Sequence, residues 1–467
     1  MVNLQEDLKI FDNDVYDILH IFESDVDLNK INLDVSVEYD KDLKECFVKV
    51  FLNRDQELSK SIKLVNNKLI DKRNLKRVIK LLIYNVISQN YNCQKPWGSL
   101  TGVRPSKIVY DLLAEGYSLD DVSTIMEQDY EVGKDKANLI CNVVRNQLSN
   151  KMALNEVDLY INIPICPTRC SYCSFISSEY ERCKKFVPEY INCLIKEINA
   201  VKNLINKKHL TIKNIYMGGG TPTTLSANDL SLILKQIDFP YNEFTVECGR
   251  PDTITLGKLE VLKNNNVTRI SINPQTLNDT TLKVIGRKHT SGDFYKTYEM
   301  ANNFNFIINT DLIAGLPNEN FEDFKRTMDK IIEIAPDNIT IHTLAVKRAS
   351  MLNQNKEKVK SCNIAKMVEY AYNQLIQLGY KPYYLYRQKN MLGLYENVGY
   401  FKGNKICQFN IESMEEKANI IACGAGAISK RIFLNESRIE RCANVKQIQD
   451  YILRIDEMIE RKYDLFK

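Results

Sequence analysis

The stretch of sequence that decides the fold is Tyr160-Ile-Asn-Ile-Pro-Ile-Cys166-Pro-Thr-Arg-Cys170-Ser-Tyr-Cys173-Ser-Phe175. Its first residues continue an apolar run that begins at Leu159 and is typical of a buried strand. The cysteines therefore stand on the loop that follows a strand, with the spacing C-x3-C-x2-C. Three thiolates this close in sequence can converge on one soft metal centre.

The number of cysteines limits the kind of centre. A structural zinc site normally takes four ligands, usually as two separated pairs, and no second pair accompanies this loop. Electron-transfer iron–sulfur clusters also use four cysteines. Three ligands on a four-iron cluster leave one iron open, which is what a cluster needs in order to coordinate a substrate. Three free thiols in a tight loop are the remaining alternative.

Strand and helix patterns alternate after the loop that carries Cys166, Cys170 and Cys173, the cysteine loop. This alternation predicts an α/β fold with a parallel sheet, either an open doubly wound sheet or an incomplete barrel, and places the chemistry at the carboxyl ends of the strands. The candidate strands are Leu159–Ile163, Ile212–Met217, Glu243–Glu247, Arg269–Asn273, Ile307–Ile313 and Asn338–Leu344. The candidate helices include Tyr190–Leu204, Asp229–Gln236, Leu256–Asn264 and Phe321–Ile334.

The flanking regions have different patterns. Residues 1–150 are predicted to form an N-terminal α+β accessory domain with a pair of strands and a long helix from Leu75. Residues 155–345 form the expected core. Residues 346–467 are predicted to be mostly helical, with one short aromatic strand at Tyr383–Tyr386.

Composition excludes several classes of protein. The chain has 467 residues and a formal net charge of +4, which does not point to nucleic acid or an anionic membrane. No run approaches the roughly 18 apolar residues of a membrane span, and the polar N-terminus is not a secretory signal. We therefore expect a cytoplasmic protein whose 13 cysteines are reduced.

The cysteine motif resembles the signature of the radical S-adenosylmethionine (SAM) superfamily, including an aromatic residue, Tyr172, before the third cysteine. The segment Gly218-Gly-Gly-Thr221 resembles the superfamily loop that holds the amino group of SAM. Taken with Glu247, Gln275, Arg287 and Asp311 in this order, the chain resembles the oxygen-independent coproporphyrinogen III oxidases. The long N-terminal region is similar to the extended Gram-positive subtype.

The resemblance implies an incomplete parallel (β/α)6 barrel of radical SAM type with the C-terminal region covering the active site. It also implies the site residues. Cys166, Cys170 and Cys173 would hold a [4Fe–4S] cluster. Tyr160, Glu247 and Arg287 would have catalytic roles. The implied cofactor contacts are Tyr160, Phe175, Gly218, Gly219, Gly220, Thr221, Glu247, Gln275, Arg287, Asp311 and Leu344.

The resemblance further implies an activity. A bound SAM molecule would yield a 5′-deoxyadenosyl radical, and the sequence leaves open whether a second SAM molecule binds. The radical would start the oxidative decarboxylation of two propionates of coproporphyrinogen III, giving protoporphyrinogen IX. A flavodoxin- or ferredoxin-like donor would supply the electron to a monomeric protein. Arg250, Lys347 and Arg348 are candidates to meet the substrate carboxylates. His342 is either an axial haem ligand, a proton donor or a packed strand residue.

One position departs from the best-known members of the family. They have a fourth cysteine two residues after the third, where this chain has Phe175. The same aromatic substitution occurs in a related haem chaperone. A haem-delivering protein and a radical enzyme acting on another tetrapyrrole therefore stay open beside the oxidase.

Overall fold

The computed structural model describes residues 2–40, 42–65, 67–175, 177–345, 363–388, 391–433, 436 and 438–467. The chain forms two compact units, Met1–Arg145 and Asn146–Lys467. Among the described residues, no helix is both long and apolar enough to cross a lipid bilayer.

The first unit contains a four-stranded sheet and helices. Three neighbouring strands are antiparallel, and the short first strand pairs in parallel with the second. The strands are β1 Val2–Leu4, β2 Leu33–Asp40, β3 Glu45–Leu52 and β4 Gln56–Lys63. The helices are α1 Asp12–His20, α2 Lys68–Tyr91, α3 Ser106–Ala114, α4 Leu119–Tyr130 and α5 Lys134–Gln147.

The sequence pattern missed β4. Its residues Gln-Glu-Leu-Ser-Lys-Ser-Ile-Lys bury only Ile62, so they lack the apolar alternation that marks β2 and β3. Pairing with β3 along eight residues holds this polar edge strand in place.

The second unit is built on an eleven-stranded sheet with the order β13-β14-β12-β11-β10-β9-β8-β5-β15-β16-β17. A separate pair of two-residue strands, β6 and β7, lies in the cysteine loop. The strands are β5 Glu156–Ile163, β6 Ile165–Cys166, β7 Ser178–Glu179, β8 Thr211–Gly219, β9 Glu243–Glu247, β10 Arg269–Ser271, β11 Ile307–Ala314, β12 Asn338–Thr343, β13 Lys381–Tyr386, β14 Asn397–Phe401, β15 Asn419–Cys423, β16 Ile428–Phe433 and β17 Arg438–Ala443.

The six strands predicted from the sequence are all present. They are β5, β8, β9, β10, β11 and β12, and they lie side by side in chain order with every pair parallel. Helices connect them, as in an incomplete (β/α)6 barrel. The helices of this unit are α6 Tyr180–Cys183, α7 Val187–Lys207, α8 Ala227–Leu234, α9 Leu256–Asn264, α10 Asp279–Val284, α11 Ser291–Asn302, α12 Phe321–Ile334, α13 Ile364–Gln377, α14 Gln408–Glu415, α15 Ile448–Leu453 and α16 Ile455–Leu465.

Helix α12 shows how local sequence sets these elements. Asn320 caps its N-terminus by accepting a hydrogen bond from the backbone N–H of Asp323, and the Asp323 side chain completes the capping box. Phe324, Met328 and Ile331 recur at helical spacing and are buried. The helix packs through this apolar stripe and stops at Ala335, which has left-handed backbone angles.

The expectation of a single strand in the C-terminal region is wrong. Five strands, β13 to β17, occur among its described residues, and they extend the sheet at both ends. Strand β14 is buried at every position, and β17 is mostly polar, so neither shows period-two alternation. Lys347 and Arg348 lie outside the described residues.

Candidate active site

A cavity of about 350 Å3 lies at the carboxyl ends of the parallel strands, and all its lining residues belong to the second unit. It brings together most of the side chains predicted from the sequence: Cys166, Cys170, Cys173, Phe175, Gly219, Gly220, Thr221, Glu247, Gln275, Arg287, Asp311 and Leu344. Tyr160 and Gly218 are not among the lining residues.

Tyr160 supports the site from neighbouring residues. Its hydroxyl donates to Asn162 Oδ1 at 3.2 Å, and its ring stacks on Tyr216 and Phe409 with centroids 6.1 Å away in each case. Tyr216 itself lines the cavity. Tyr160 therefore supports the lining through Tyr216, and its expected catalytic and cofactor-binding roles stay predictions.

The cysteine loop is held by backbone bonds from several elements. Thr221 N donates to the carbonyl oxygen of Ile165 at 2.8 Å, and Ser171 N donates to the carbonyl oxygen of Ile285 at 3.0 Å. Within the loop, Cys173 N donates to the carbonyl oxygen of Cys170 at 3.1 Å. These bonds fix the loop before any ligand binds.

Burial affects the motif thiols. It raises the pKa of Cys173 to about 11 and raises that of Cys166 as well. A thiolate is needed for metal ligation, so these thiols need a metal or nearby cations to lose their protons. In the described ranges, no three His, Cys, Asp or Glu side chains are gathered closely enough to hold a single metal ion, whereas the cysteines of a four-iron cluster each bind a different iron.

The glycine run serves the protein's own packing more than was expected. A Cβ at Gly218 would lie 2.5 Å from Glu247 Oε2, and a Cβ at Gly220 would lie 2.5 Å from the carbonyl oxygen of Ile165. Gly219 has a φ of +100°, which L-residues rarely adopt. The absence of side chains thus lets Glu247 and the cysteine loop approach β8, while Gly219 and Gly220 still face the cavity.

Glu247 stands at the end of β9 with two donors. Tyr216 Oη donates to its Oε1 at 2.7 Å, and Gly219 N donates to its Oε2 at 3.2 Å. Burial raises the pKa of Glu247 to about 7, with a further rise from Asp311, although both hydrogen bonds oppose it. The carboxyl group is therefore poised to exchange a proton near neutral pH.

Arg287 is a buried cation tied to neutral partners. It donates from Nη1 to the carbonyl oxygens of Asn273 and Gly249, the latter at 3.2 Å, and from Nη2 to Tyr172 Oη at 3.2 Å. Tyr172 is the aromatic residue of the cysteine motif, so the motif orients this arginine.

Several buried polar atoms of the lining have no hydrogen-bond partner within the described part of the chain. They are Gln275 Oε1, Ser271 Oγ and Arg287 Nε. Gln275 also has a φ of +68°, a strained value for a residue with a side chain. Buried polar groups are normally paired, so these atoms fit a polar ligand in the cavity.

Asp311 belongs to a network that the sequence did not reveal. Asn273 and Asn309 donate to its two oxygens at 2.8 Å each, and His342 Nε2 lies 3.6 Å from Oδ2. Burial alone would raise the pKa of Asp311, but hydrogen bonds and charge from His342, with bonds from Asn309 and Thr340, lower it. Tyr386 Oη lies 3.5 Å from His342 Nδ1, which links the aromatic strand β13 to the site.

Two other cysteines lie next to the motifs in sequence but apart from the cavity. Cys248 and Cys423 are fully buried and are not among the lining residues. Burial raises the pKa of both thiols.

Comparisons with known proteins bear on the family of this chain. A family model of the Radical SAM superfamily matches residues 160–331. The chain is 36% identical over 404 residues to the oxygen-independent coproporphyrinogen-III oxidase-like protein HemZ of Bacillus subtilis, covering 84% of this chain and 81% of that protein. It is 29% identical over 314 residues to the heme chaperone HemW of Buchnera aphidicola subsp. Schizaphis graminum, covering 64% of this chain and 76% of that protein.

A solved structure shares the fold. Coproporphyrinogen III oxidase (HemN) from Escherichia coli, described as a radical SAM enzyme, matches with a TM-score of 0.52 and 21% identity over 65% of this chain and 70% of that one. Radical SAM proteins use a [4Fe–4S] cluster and SAM, which confirms the cofactor pair implied by the cysteine motif. The chain therefore belongs to the radical SAM superfamily and, within it, to the family of oxygen-independent coproporphyrinogen-III oxidase-like proteins.

Proposed function

We propose that this protein oxidatively decarboxylates two propionate side chains of coproporphyrinogen III to vinyl groups, giving protoporphyrinogen IX. Each propionate side chain first gives one hydrogen atom to a 5′-deoxyadenosyl radical. It then releases CO2 and passes one electron to an acceptor, which leaves a vinyl group. The relationship to the oxidase-like protein carries the proposal, because it extends over 84% of the chain and thus beyond the radical SAM core.

We assign Cys166, Cys170 and Cys173 as the three cluster ligands. All three line one cavity on a loop fixed by backbone bonds. Burial raises the pKa of Cys166, whereas hydrogen bonds with Thr221 and Ser177 and the charge of Arg250 lower it and so favour the thiolate that ligation needs. When bound, the cluster supplies one electron to the sulfonium of SAM, which releases methionine and a 5′-deoxyadenosyl radical.

The polar groups of the lining suit SAM. Arg287 can pair with its carboxylate, and Glu247 can accept from its amino group. Gln275 Oε1 can accept from a ribose hydroxyl, which would satisfy a buried oxygen that otherwise has no described partner. Asp311 keeps lone pairs for a second such bond, even with Asn273 and Asn309 already bound.

His342 and Tyr386 are the groups we assign to the substrate. Both line the cavity, and neither is held closer than 3.5 Å by the Asp311 network. An imidazole N–H and a phenol O–H can donate to a propionate carboxylate. Arg250 does not suit this task, because Asp252 and the cysteine loop already occupy its donors.

The direct test is turnover. Protein reconstituted anaerobically with iron and sulfide is incubated with SAM, dithionite and coproporphyrinogen III. We expect 5′-deoxyadenosine, CO2 and a divinyl product. Formation of 5′-deoxyadenosine without any vinyl product would contradict the oxidase activity.

A matched pair of variants tests the cluster assignment. Cys170→Ser should lose bound iron and all SAM cleavage. Cys193→Ser changes a half-buried cysteine on α7 whose Sγ lies 3.9 Å from the carbonyl oxygen of Ile452, and it should behave as the unaltered protein does. Full activity in Cys170→Ser would overturn the assignment.

Haem delivery is the second candidate function. Phe175, in place of a fourth cysteine, is 68% exposed at the cavity, and relatives named as heme chaperones match up to 66% of the chain. Under this alternative, the reconstituted protein would bind haem with a Soret band and form no vinyl product.

In the cell we expect the electron that reduces the cluster to come from a flavodoxin- or ferredoxin-like donor.

A further inference from the structure

Arg250 is a buried cation that the proposed reaction places in contact with neither SAM nor the substrate. It follows the end of β9 in the segment Cys248-Gly-Arg-Pro-Asp252, and its side chain is 3% exposed. Burying a guanidinium is costly unless its donors and its charge are satisfied. The partners that satisfy it therefore show what the residue does.

The guanidinium joins the cysteine loop to a carboxylate. From Nη1 it donates to Cys170 Sγ at 3.7 Å and to Thr168 Oγ1 at 3.1 Å. From Nε and Nη2 it donates to the two oxygens of Asp252 at 3.0 and 2.9 Å. A bidentate pair of this kind fixes the plane of the guanidinium and hence the direction of its N–H toward sulfur.

The backbone of this segment is fixed as well. The carbonyl oxygen of Arg250 accepts from Thr253 N at 3.0 Å and from Thr253 Oγ1 at 2.7 Å. Pro251 occupies the first position of a 3-10 turn, where its restricted φ is already suitable. Arg250 is therefore positioned at both its backbone and its side chain.

We propose that Arg250 is a positioning residue that raises the reduction potential of the cluster through its N–H to Cys170 Sγ, and that Asp252 limits the size of this effect. The inference rests on the proposed function, because it takes Cys170 as a cluster ligand. The step concerned is a one-electron reduction by a low-potential donor, in which no bond forms or breaks. The cluster gains one negative charge, so a fixed cation and an N–H···S bond stabilise the reduced form more than the oxidised form.

The other charged groups of this corner fit the same assignment. Arg287 also interacts with Cys170, but it reaches the cavity with an unpaired Nε and is assigned to SAM. His289 Nδ1 lies 3.9 Å from Asp252, and burial together with the charge of Arg287 lowers the pKa of His289 to about 4. His289 is thus neutral at pH 7, so it adds no charge to that of the Arg250–Asp252 pair beside Cys170.

The test measures the midpoint potential of the reconstituted full-length protein by an EPR-monitored redox titration without SAM. Arg250→Gln should make reduction about tenfold less favourable, which is about 59 mV for a one-electron couple. Asp252→Asn should shift the potential upward, because it removes the opposing charge. Arg250→Lys should lower the midpoint potential by less than half as much as Arg250→Gln does. Arg182→Gln, a surface control with an 82% exposed side chain, should leave the midpoint potential unchanged.

Opposite shifts in Arg250→Gln and Asp252→Asn would support the proposal, since a merely structural role gives no such sign reversal. Unchanged potentials in both variants, at full iron content, would overturn it. If Arg250→Gln fails to assemble a cluster, Asp252→Asn decides alone: an upward shift supports the proposal, and an unchanged or lower potential overturns it. Failure of the proposed function is recognised separately, by 5′-deoxyadenosine that forms without any vinyl product, and failure of the ligand assignment by full iron content in Cys170→Ser.

Discussion

The cavity has two halves that are held in different ways. The cysteine half comes from β5, β8 and β9 and contains the cysteine loop, Glu247 and Arg250. The histidine half comes from β11, β12 and β13 and contains Asp311, His342 and Tyr386. In the first half, charged groups bond to a backbone N–H, to the Tyr216 hydroxyl and to one another at 2.7 to 3.2 Å. In the second, two asparagines hold Asp311 at 2.8 Å, but His342 lies 3.5 Å from Tyr386 and 3.6 Å from Asp311.

This difference teaches how one pocket can serve a cofactor and a substrate. Groups that must hold a cluster and SAM are fixed before either binds, which removes the cost of ordering them. Groups that meet a substrate with several carboxylates keep freedom to adjust. Changes in the cysteine half should therefore abolish cofactor chemistry, and changes at His342 or Tyr386 in the histidine half should affect only the substrate.

The largest effect is expected from Gly220→Ala. The added Cβ would lie 2.5 Å from the carbonyl oxygen and 2.6 Å from the nitrogen of Ile165, so the backbone that leads into the cysteine loop must move. We expect loss of bound iron and of SAM cleavage, measured by iron analysis and by 5′-deoxyadenosine formation. Gly257→Ala is the control, because a Cβ there meets no atom within 4 Å. Normal iron loading in Gly220→Ala would show that the two halves do not differ in rigidity.

A pH effect is expected next, from Glu247. Its pKa of about 7 in the folded protein exceeds the ordinary value of 4.5, so the folded state holds a proton that the unfolded state has lost between these pH values. The free energy of unfolding of the cofactor-free protein should therefore fall by roughly 3 kcal/mol as the pH rises through this window.

Thermal unfolding of the unaltered protein and of Glu247→Gln, followed between pH 4.5 and 8, checks this expectation. The amide has no proton to exchange, so the variant should show a flatter dependence of Tm on pH. Parallel curves for the two proteins would show that Glu247 is not the responsible group.

The smallest effect is expected from His342→Ala. Cluster content and uncoupled SAM cleavage should stay unchanged, while vinyl product should fall about tenfold, which corresponds to about 1.4 kcal/mol of lost transition-state interaction. Quantification of product against 5′-deoxyadenosine in the same reaction measures both. A parallel loss of SAM cleavage would show that His342 acts on the cofactors, as the cysteine half does, and would contradict the comparison of the two halves.

The sequence predicted the cysteine half better than the histidine half. Spacing and strand ends located Cys166, Cys170 and Cys173 together with Glu247, because these features are local. The link from Tyr386 to Asp311 through His342 depends on which strands are neighbours, and β13 reaches β12 only through β14. No local pattern encodes that order.

The same reason explains the other differences. The Arg250 bond to Cys170 joins residues 80 positions apart in the chain. Strands β4 and β17 are polar, and β14 is buried throughout, so neither kind gives the alternation by which a strand is recognised. The glycine run was located correctly, but its close approach to Glu247 and Ile165 became visible only in three dimensions.

The most direct test of the central claim follows the hydrogen atom. Coproporphyrinogen III deuterated in its propionate side chains is incubated with the reconstituted protein, SAM and a reductant, and the 5′-deoxyadenosine is examined by mass spectrometry. A radical formed in this cavity beside a bound propionate predicts deuterium in the 5′-deoxyadenosine, together with deuterium loss from the porphyrinogen product. Unlabelled 5′-deoxyadenosine and unchanged substrate would contradict the account.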